Sequence, residues 1–322
     1  APSDKPDACT RLKALDAGPL TYEVDGCAFW APQDADTLAQ LVETHPDATI
    51  LAGATDVGLW VTKQGFAPDK IIYLGDCADL AEIEETLTGV QIPAAVSHQK
   101  AMSSLAEMFP DMGELWRRFA SEQVRSAGTL CGNIANGSPI GDAPPALIAV
   151  GATLTIRKGA QIRHANLEDF FIEYSKQDLS PGEFVQAVDI TAPDDPMDLR
   201  CYKISKRFDQ DISAIMAAIN IRLRSEKIVE VRIAFGGMAA TPKRAKAAEA
   251  ALKGKPFAEA AFKAAMDALD QDFAPIDDHR ASAAYRMKTA KNLILKYFVE
   301  RNFGEVRITG RGKVLAQDVV VG

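Results

Sequence analysis

The sequence predicts two α/β lobes followed by an α+β lobe, on three observations. Short apolar runs of strand character alternate with amphipathic helical stretches from residue 20 to about residue 190. The polar segment "TAPDDPMD" then interrupts the pattern as a linker, and beyond it two long strand-like runs precede a series of helical ones. At 322 residues, 47% of them hydrophobic, the chain exceeds one ordinary core and can fill two or three.

The first 20 residues, beginning "APSDKPDACTRLKAL", read as a Pro- and Asp-containing linker, which favours a piece cut from a longer chain. In the first lobe, residues 21–80, "ADTLAQLVETHP" sets Leu38, Leu41 and Val42 on one helical face. "ATILAGATDVG" follows as a short strand breaking into a loop, and a second strand runs from Ile71 to Leu74. Residues 81–192 form the second lobe: helix-like "SSLAEMFPDMGELWRRFAS", a loop of small residues from 127 to 142, then strand-like "ATLTIRK" and "EFVQAVDI". The third lobe, 196–305, opens with "SAIMAAINIRLRSEKIVEVRIAFGGM", two strands joined by a polar turn from Arg224 to Lys227. Helices over "KRAKAAEAALKG", "AEAAFKAAMDALDQDF" and "SAAYRMKTAKNLILKYFVERN" complete it, and residues 306–322 form a tail.

Charge and cysteine content exclude several classes. A net charge of -8 argues against nucleic acid, because phosphate contacts need Lys and Arg clustered on one face. The five cysteines, Cys9, Cys27, Cys77, Cys131 and Cys201, are odd in number and far apart. They form no readable disulfide framework or Cys-x-x-Cys clip, and a reducing cytoplasm fits them. Neither a signal peptide nor an apolar run of ~18 residues is present, so no membrane partner is expected.

Two loops carry the chemistry. In "ILAGATDVG", residues Ile50, Leu51, Ala52, Gly53, Ala54, Thr55, Asp56, Val57 and Gly58 follow an apolar strand and precede helix-like "LWVTK". Small side chains let a ligand approach the main chain, and successive N–H groups with a Thr hydroxyl suit pyrophosphate oxygens. The spacing is neither G-x-G-x-x-G nor G-x-x-x-x-G-K-[ST], so Rossmann and P-loop readings fail. In the second loop Gly128, Thr129, Gly132, Asn133, Ser138 and Asp142 offer main-chain donors, hydroxyls, an amide and a carboxylate. Taken singly, each loop is better accounted for as a plain turn, whereas two such loops in neighbouring lobes suggest a long dinucleotide. Cys131 reads as a small buried side chain.

A third feature joins "LWRRFA" and "YKISKRFDQD". Phe119 suits the face of a flat ring system, and Arg207, Lys203 and the Arg117–Arg118 pair suit anionic groups or aromatic stacking. A solvated helix face and an exposed strand edge explain the same residues and are favoured by sequence alone. No H-E-x-x-H or G-x-S-x-G is present, and His279 beside Asp277 and Asp278 reads as a helix start, so no metal site is expected.

The stretches "LAGATDVGLWVTK", "RRFASEQVRSAGTLCGNIANGSPIGDAPPALIA", "RCYKISKRFDQDISA", "IAFGGMAATPKRA" and "RASAAYRM" occur in this order between about residue 30 and residue 290. They resemble the FAD-binding domain of the xanthine dehydrogenase and molybdenum hydroxylase family, and within it the small subunit of the bacterial enzymes. The resemblance implies a split FAD-binding fold of two α/β lobes, like that of vanillyl-alcohol oxidase and not Rossmann, in 21–192, with a C-terminal α+β lobe of the CO dehydrogenase flavoprotein type. It assigns the pyrophosphate to Ile50 through Gly58, and the rest of the dinucleotide to Gly128, Thr129, Gly132, Asn133, Ser138 and Asp142. Phe119 matches an aromatic covering the isoalloxazine, Arg207 an arginine near that aromatic, Lys203 a lysine near the FAD and Val185 an aliphatic beside the adenine.

The function so implied is electron relay: FAD takes electrons from iron-sulfur clusters and passes hydride to NAD while a molybdenum-binding large subunit oxidises hypoxanthine or xanthine to urate. No side chain here is needed as a general acid or base. The molybdenum cofactor and the 2Fe-2S clusters are expected on other chains or on a missing N-terminal iron-sulfur domain, within a hetero-oligomer. Cys131, Phe208 and Gln210 depart from the animal members, which carry Gly, Arg and an acid there. The alternatives are the flavin subunit of another molybdenum hydroxylase, of CO dehydrogenase or aromatic-substrate type, or a nucleotide-binding assembly module without redox turnover. "AGATD" in place of the "AGG-H/Q-S" usual in the first group disfavours it.

Overall fold

A tight hairpin opens the first-lobe sheet. The strands Leu20–Val24 and Cys27–Ala31 pair antiparallel around Asp25-Gly26, both at positive φ, the Asp-Gly pair that a two-residue hairpin turn favours. The computed structural model describes residues 8, 10, 11, 18–192 and 198–304. The expected tail at 306–322 lies outside them, as do most of the 1–20 linker and residues 193–197 of the inter-lobe linker.

In the first lobe the hairpin extends into a four-stranded mixed sheet. Cys27–Ala31 pairs in parallel with Lys70–Tyr73, which pairs in parallel with the edge strand Thr49–Leu51. Parallel neighbours need a crossover, and the Ala35–Thr44 helix supplies one. Asp34 caps it by accepting from the Thr37 N–H at 2.7 Å, and Ala35, Leu38, Ala39 and Val42 fall on its buried face at helical spacing.

The second lobe is built on a five-stranded antiparallel sheet, in the order Glu84–Thr86, Gly89–Pro93, Phe184–Thr191, Thr153–Lys158, Gln161–Asn166. Its longer helices lie between the second and fourth of these. The helical stretch expected as one piece divides into His98–Met108 and Pro110–Arg118. Pro110 has no N–H to continue the first helix and holds Phe109 extended, yet it suits the first position of the next. The expected loop at 127–142 likewise contains a helix, Leu130–Asn136, followed by Ala143–Ala149. Thr129 caps the first of these, its hydroxyl accepting from the Gly132 N–H at 3.1 Å, and Gly137 ends it at φ 65°.

The third lobe is an antiparallel sheet of Asp198–Ile204, Ile215–Arg224, Lys227–Gly236 and the short Lys243–Arg244. Its hairpin turns at Ser225 and Glu226, at the expected place. One face, with Tyr202, Ile215, Ala217, Ile219 and Phe235, packs on the helices Lys246–Leu252, Glu259–Asp272 and Ala283–Phe303. The other face, with Leu199, Cys201, Met216, Ala218 and Ala234, joins the core of the first two lobes. Period-two alternation thus turns Lys203, two residues beyond Cys201, towards the second lobe.

Phe262 is fully buried and stacks on Tyr297 with ring centroids 6.2 Å apart. Phe262→Ala is expected to destabilise the chain by about 3–5 kcal/mol in urea unfolding, from lost burial and the cavity left behind.

Candidate functional site

The two glycine-rich segments meet backbone to backbone. Gly53, just beyond the Thr49–Leu51 strand, lies so close to the Ala127 carbonyl and the Gly128 Cα that a Cβ there would overlap both. Thr55 packs its side chain against Gly128 from the same loop. Ala54 takes φ 58°, which turns the chain sharply into the short helix Val57–Leu59 and the wider turn Trp60–Gln64. Among the described residues, no hydrogen bond uses the backbone N–H groups of Gly53, Ala54, Thr55 or Asp56. Unpaired N–H groups on a turn poor in side chains suit phosphate oxygens.

The second segment is held from behind by residues 96–98. The Leu130 N–H donates to the Val96 carbonyl at 3.2 Å, and the His98 N–H donates to the Gly128 carbonyl at 2.9 Å. Asn133 lies one turn into the helix that Thr129 caps, and its side-chain Oδ1 is buried without a hydrogen-bond partner. A buried carbonyl oxygen left unpaired is costly, so this amide is suited to a ligand donor. Ser138 accepts from the Ile140 N–H at 3.4 Å. Burial pushes the Cys131 thiol up, so it stays protonated and inert.

Asp142 and Lys203, 61 positions apart, form a buried ion pair at 2.6 Å. Ser213 completes it, accepting from Lys203 Nζ at 2.7 Å and donating to Asp142 Oδ1 at 2.5 Å. Val185 is buried on the central Phe184–Thr191 strand of the second-lobe sheet.

Phe119 ends the Pro110–Arg118 helix, its N–H donating to the Leu115 and Trp116 carbonyls. Its ring rests against the buried ring of His98, with centroids 4.8 Å apart. Burial, and then the charge of Arg125, push His98 down to about 4, so this imidazole is neutral at ordinary pH.

The Arg117–Arg118 pair takes the anionic and aromatic partners that the sequence offered it, within this chain, and so corrects the favoured expectation of a solvated helix face. Arg117 is bidentate to Glu114, at 2.8 and 2.7 Å through Nη2. Arg118 donates to the Phe208 carbonyl at 2.7 Å and to the Lys203 carbonyl at 2.8 Å, and both guanidinium groups lie over the Phe208 ring. Arg207 pairs with Asp211 at 3.3 Å. His98, Arg125, Ser213 and the bracing role of Arg118 were not read from the sequence; a lone His or Arg carries no spacing signal, and only folding shows its neighbours.

Among the described residues no three His, Cys, Asp or Glu side chains gather as a metal site, and no helix is long and apolar enough to cross a membrane. The free N–H groups of Gly53 to Asp56, the unpaired Asn133 Oδ1 and the Phe119 ring are of the chemistry that a dinucleotide with a planar ring would meet.

Comparison with known proteins agrees with this geometry. The family of the FAD binding domain in molybdopterin dehydrogenase matches residues 22–193, and the CO dehydrogenase flavoprotein C-terminal domain matches residues 200–301. The chain is 30% identical over 269 residues to a xanthine dehydrogenase of Emericella nidulans, covering 79% of this chain and 20% of that protein. It therefore spans about a fifth of the length of that relative. It is 27% identical to the glyceraldehyde dehydrogenase medium chain of Sulfolobus acidocaldarius, covering 81% of this chain and 93% of that one. The carbon monoxide dehydrogenase structure from Hydrogenophaga pseudoflava superimposes with a TM-score of 0.78 at 27% identity, over 86% of this chain and 96% of that one. The chain belongs to the molybdenum hydroxylase flavoproteins: it carries their FAD-binding domain and, behind it, their C-terminal lobe. The split FAD-binding fold with a CO dehydrogenase-type third lobe, expected from the resemblance, is the observed one.

Gly53→Ala forces a methyl group into backbone that cannot retreat like a flexible side chain. The expected outcome is a loss of about 1–3 kcal/mol in chemical denaturation together with weakened FAD binding. His98 supplies a pH signature. Folded, it stays neutral down to about 4; unfolded, it takes a proton near its ordinary 6.5, so the unfolded chain binds more protons in between. Stability is expected to fall by up to about 3 kcal/mol as pH drops from near 6.5 towards 4. Urea unfolding of His98→Gln across that window should lack this contribution.

Proposed function

We propose that this chain is the FAD-binding electron-transfer part of a xanthine dehydrogenase with NAD as acceptor. In this reading its partners are an iron-sulfur domain and a molybdenum-binding large subunit that oxidises hypoxanthine or xanthine, in a cytoplasmic hetero-oligomer. The motif series from "LAGATDVG" to "RASAAYRM" and the similarity to the Emericella nidulans xanthine dehydrogenase support it. Bound FAD would supply the two-electron redox chemistry, which no side chain of this chain provides.

The observation that carries the cofactor assignment is the apposition of Gly53 with Ala127–Gly128, which leaves the Gly53–Asp56 N–H groups unpaired at the junction of two lobes. In this reading those N–H groups and Thr55 bind the pyrophosphate of FAD. Thr129, Gly132, Asn133 and Ser138 hold the rest of the dinucleotide, and Val185 borders the adenine. Phe119 covers one face of the isoalloxazine and shields it from water. The Lys203–Asp142 pair fixes charge close to the cofactor, and Arg207 stands at the rim of the Phe119 side.

A second reading, the flavoprotein subunit of another molybdenum hydroxylase, is favoured by the near-complete coverage of the glyceraldehyde dehydrogenase medium chain. An absorption spectrum with and without added FAD, followed by anaerobic NADH titration, tests both. Flavin bands that bleach with NADH are expected. Bands that persist would shift the assignment to the second reading, and a protein that stays colourless with excess FAD would mark a nucleotide-binding assembly module.

A further inference from the structure

Between the helices Pro110–Arg118 and Glu122–Ala127 the chain turns through Phe119 and Ala120. Ala120 sits at φ 49°, in the left-handed region that disfavours a residue with a Cβ. Such a conformation persists where its surroundings over-determine it. One side chain binds this turn directly: Arg125 Nη1 donates to the carbonyls of both Phe119, at 2.8 Å, and Ala120, at 3.1 Å, while its Nε donates to Gln99 Oε1 at 3.1 Å. Arg125 is 9% exposed.

A buried guanidinium that hydrogen-bonds carbonyls and an amide, with the Glu122 and Asp209 carboxylates acting on it only through charge, is an expensive way to stabilise a fold. Burial accordingly lowers its proton affinity. What it gains is geometry. The helix that carries Arg125 ends at Ala127–Gly128, the pair pressed against Gly53, so one segment of ten residues, 119–128, holds Phe119 at one end and the loop contact at the other. Arg125 braces across that segment. His98 closes the frame from behind, its ring against Phe119 and its N–H on the Gly128 carbonyl.

We propose that Arg125 is a positioning residue of the flavin site, fixing the Phe119 ring relative to the Gly53–Gly128 contact so that the ring and the pyrophosphate cradle keep one spacing. This rests on the reading of Phe119 as the residue that covers the isoalloxazine. Arg125 itself touches no cofactor: it acts through the Phe119 and Ala120 carbonyls.

The test is a double-mutant cycle on the full 322-residue chain, with FAD affinity and the visible circular dichroism of bound flavin as readouts. Arg125→Gln is expected to weaken FAD binding about tenfold and to alter the flavin dichroism, with Arg125→Lys giving a smaller change in both. In a Phe119→Ala background the same Arg125→Gln change is expected to cost less than about twofold, because the ring it positions is gone. Unchanged affinity and dichroism in Arg125→Gln, or an equal loss in both backgrounds, would overturn the proposal. If Arg125→Gln fails to fold, Arg125→Lys with and without Phe119→Ala makes the same comparison. Failure of the unaltered chain to bind FAD would overturn the functional reading, and this positioning role with it, whereas FAD binding with additive losses overturns the positioning role alone.

Discussion

The site depends on one close approach, that of Gly53 to the backbone of Ala127 and Gly128. No other residue type fits there, because any Cβ would occupy space taken by a carbonyl group that is itself fixed at a helix end. The contact brings the edge of the first-lobe sheet against the start of the helix that Thr129 caps. Interiors packed this tightly transmit position, so the placement of either loop fixes the other. The unpaired N–H groups of one loop and the unpaired amide oxygen of Asn133 in the other thereby become parts of one site.

Buried charge then ties the third lobe to this pair. Lys203 and Asp142 share Ser213 at hydrogen-bond distance, and Glu168 accepts from both Arg232 and Arg244 across the same interface, the latter at 2.9 Å. Arg244 also pairs with Glu249 at 2.6 Å. Such groups lose hydration on burial, so they add less to stability than to the choice of one docking geometry. Arg118 extends the same logic to the end of the Asp198–Ile204 strand and the segment after it by donating to the Lys203 and Phe208 carbonyls, while both the Arg117 and Arg118 guanidinium groups lie over the Phe208 ring. The Phe208 ring thus meets two cations that also hold the Glu114 carboxylate and two backbone carbonyls.

Much of this was legible before folding. The helix at Ala35–Thr44, one strand pair of the third lobe and the turn at Ser225-Glu226 follow from periodicity and turn chemistry, because those signals are local. The hairpin around Asp25-Gly26 was legible too, in "LTYEVDGCAFWA", and went unread. Helix breaks were harder. Phe109-Pro110 marks its own interruption by the chemistry of proline, whereas the helix inside 127–142 is disguised by Gly132 and Asn133, residues of low helical preference that a Thr cap and tertiary packing override.

The sequence by itself determined which segments are poor in side chains and rich in donors, and their order along the chain was sufficient to reveal the family. It determined neither the partners of Arg118 nor the meeting of Asp142 with Lys203. Nor did it place His98 behind Phe119, or Arg125 on the turn that carries it. Those relations belong to residues up to 90 positions apart, as between Arg118 and Phe208. Only tertiary packing decides them, because a charged or aromatic side chain takes its role from whichever neighbours remove it from water, and those neighbours exist only once the lobes have closed on one another.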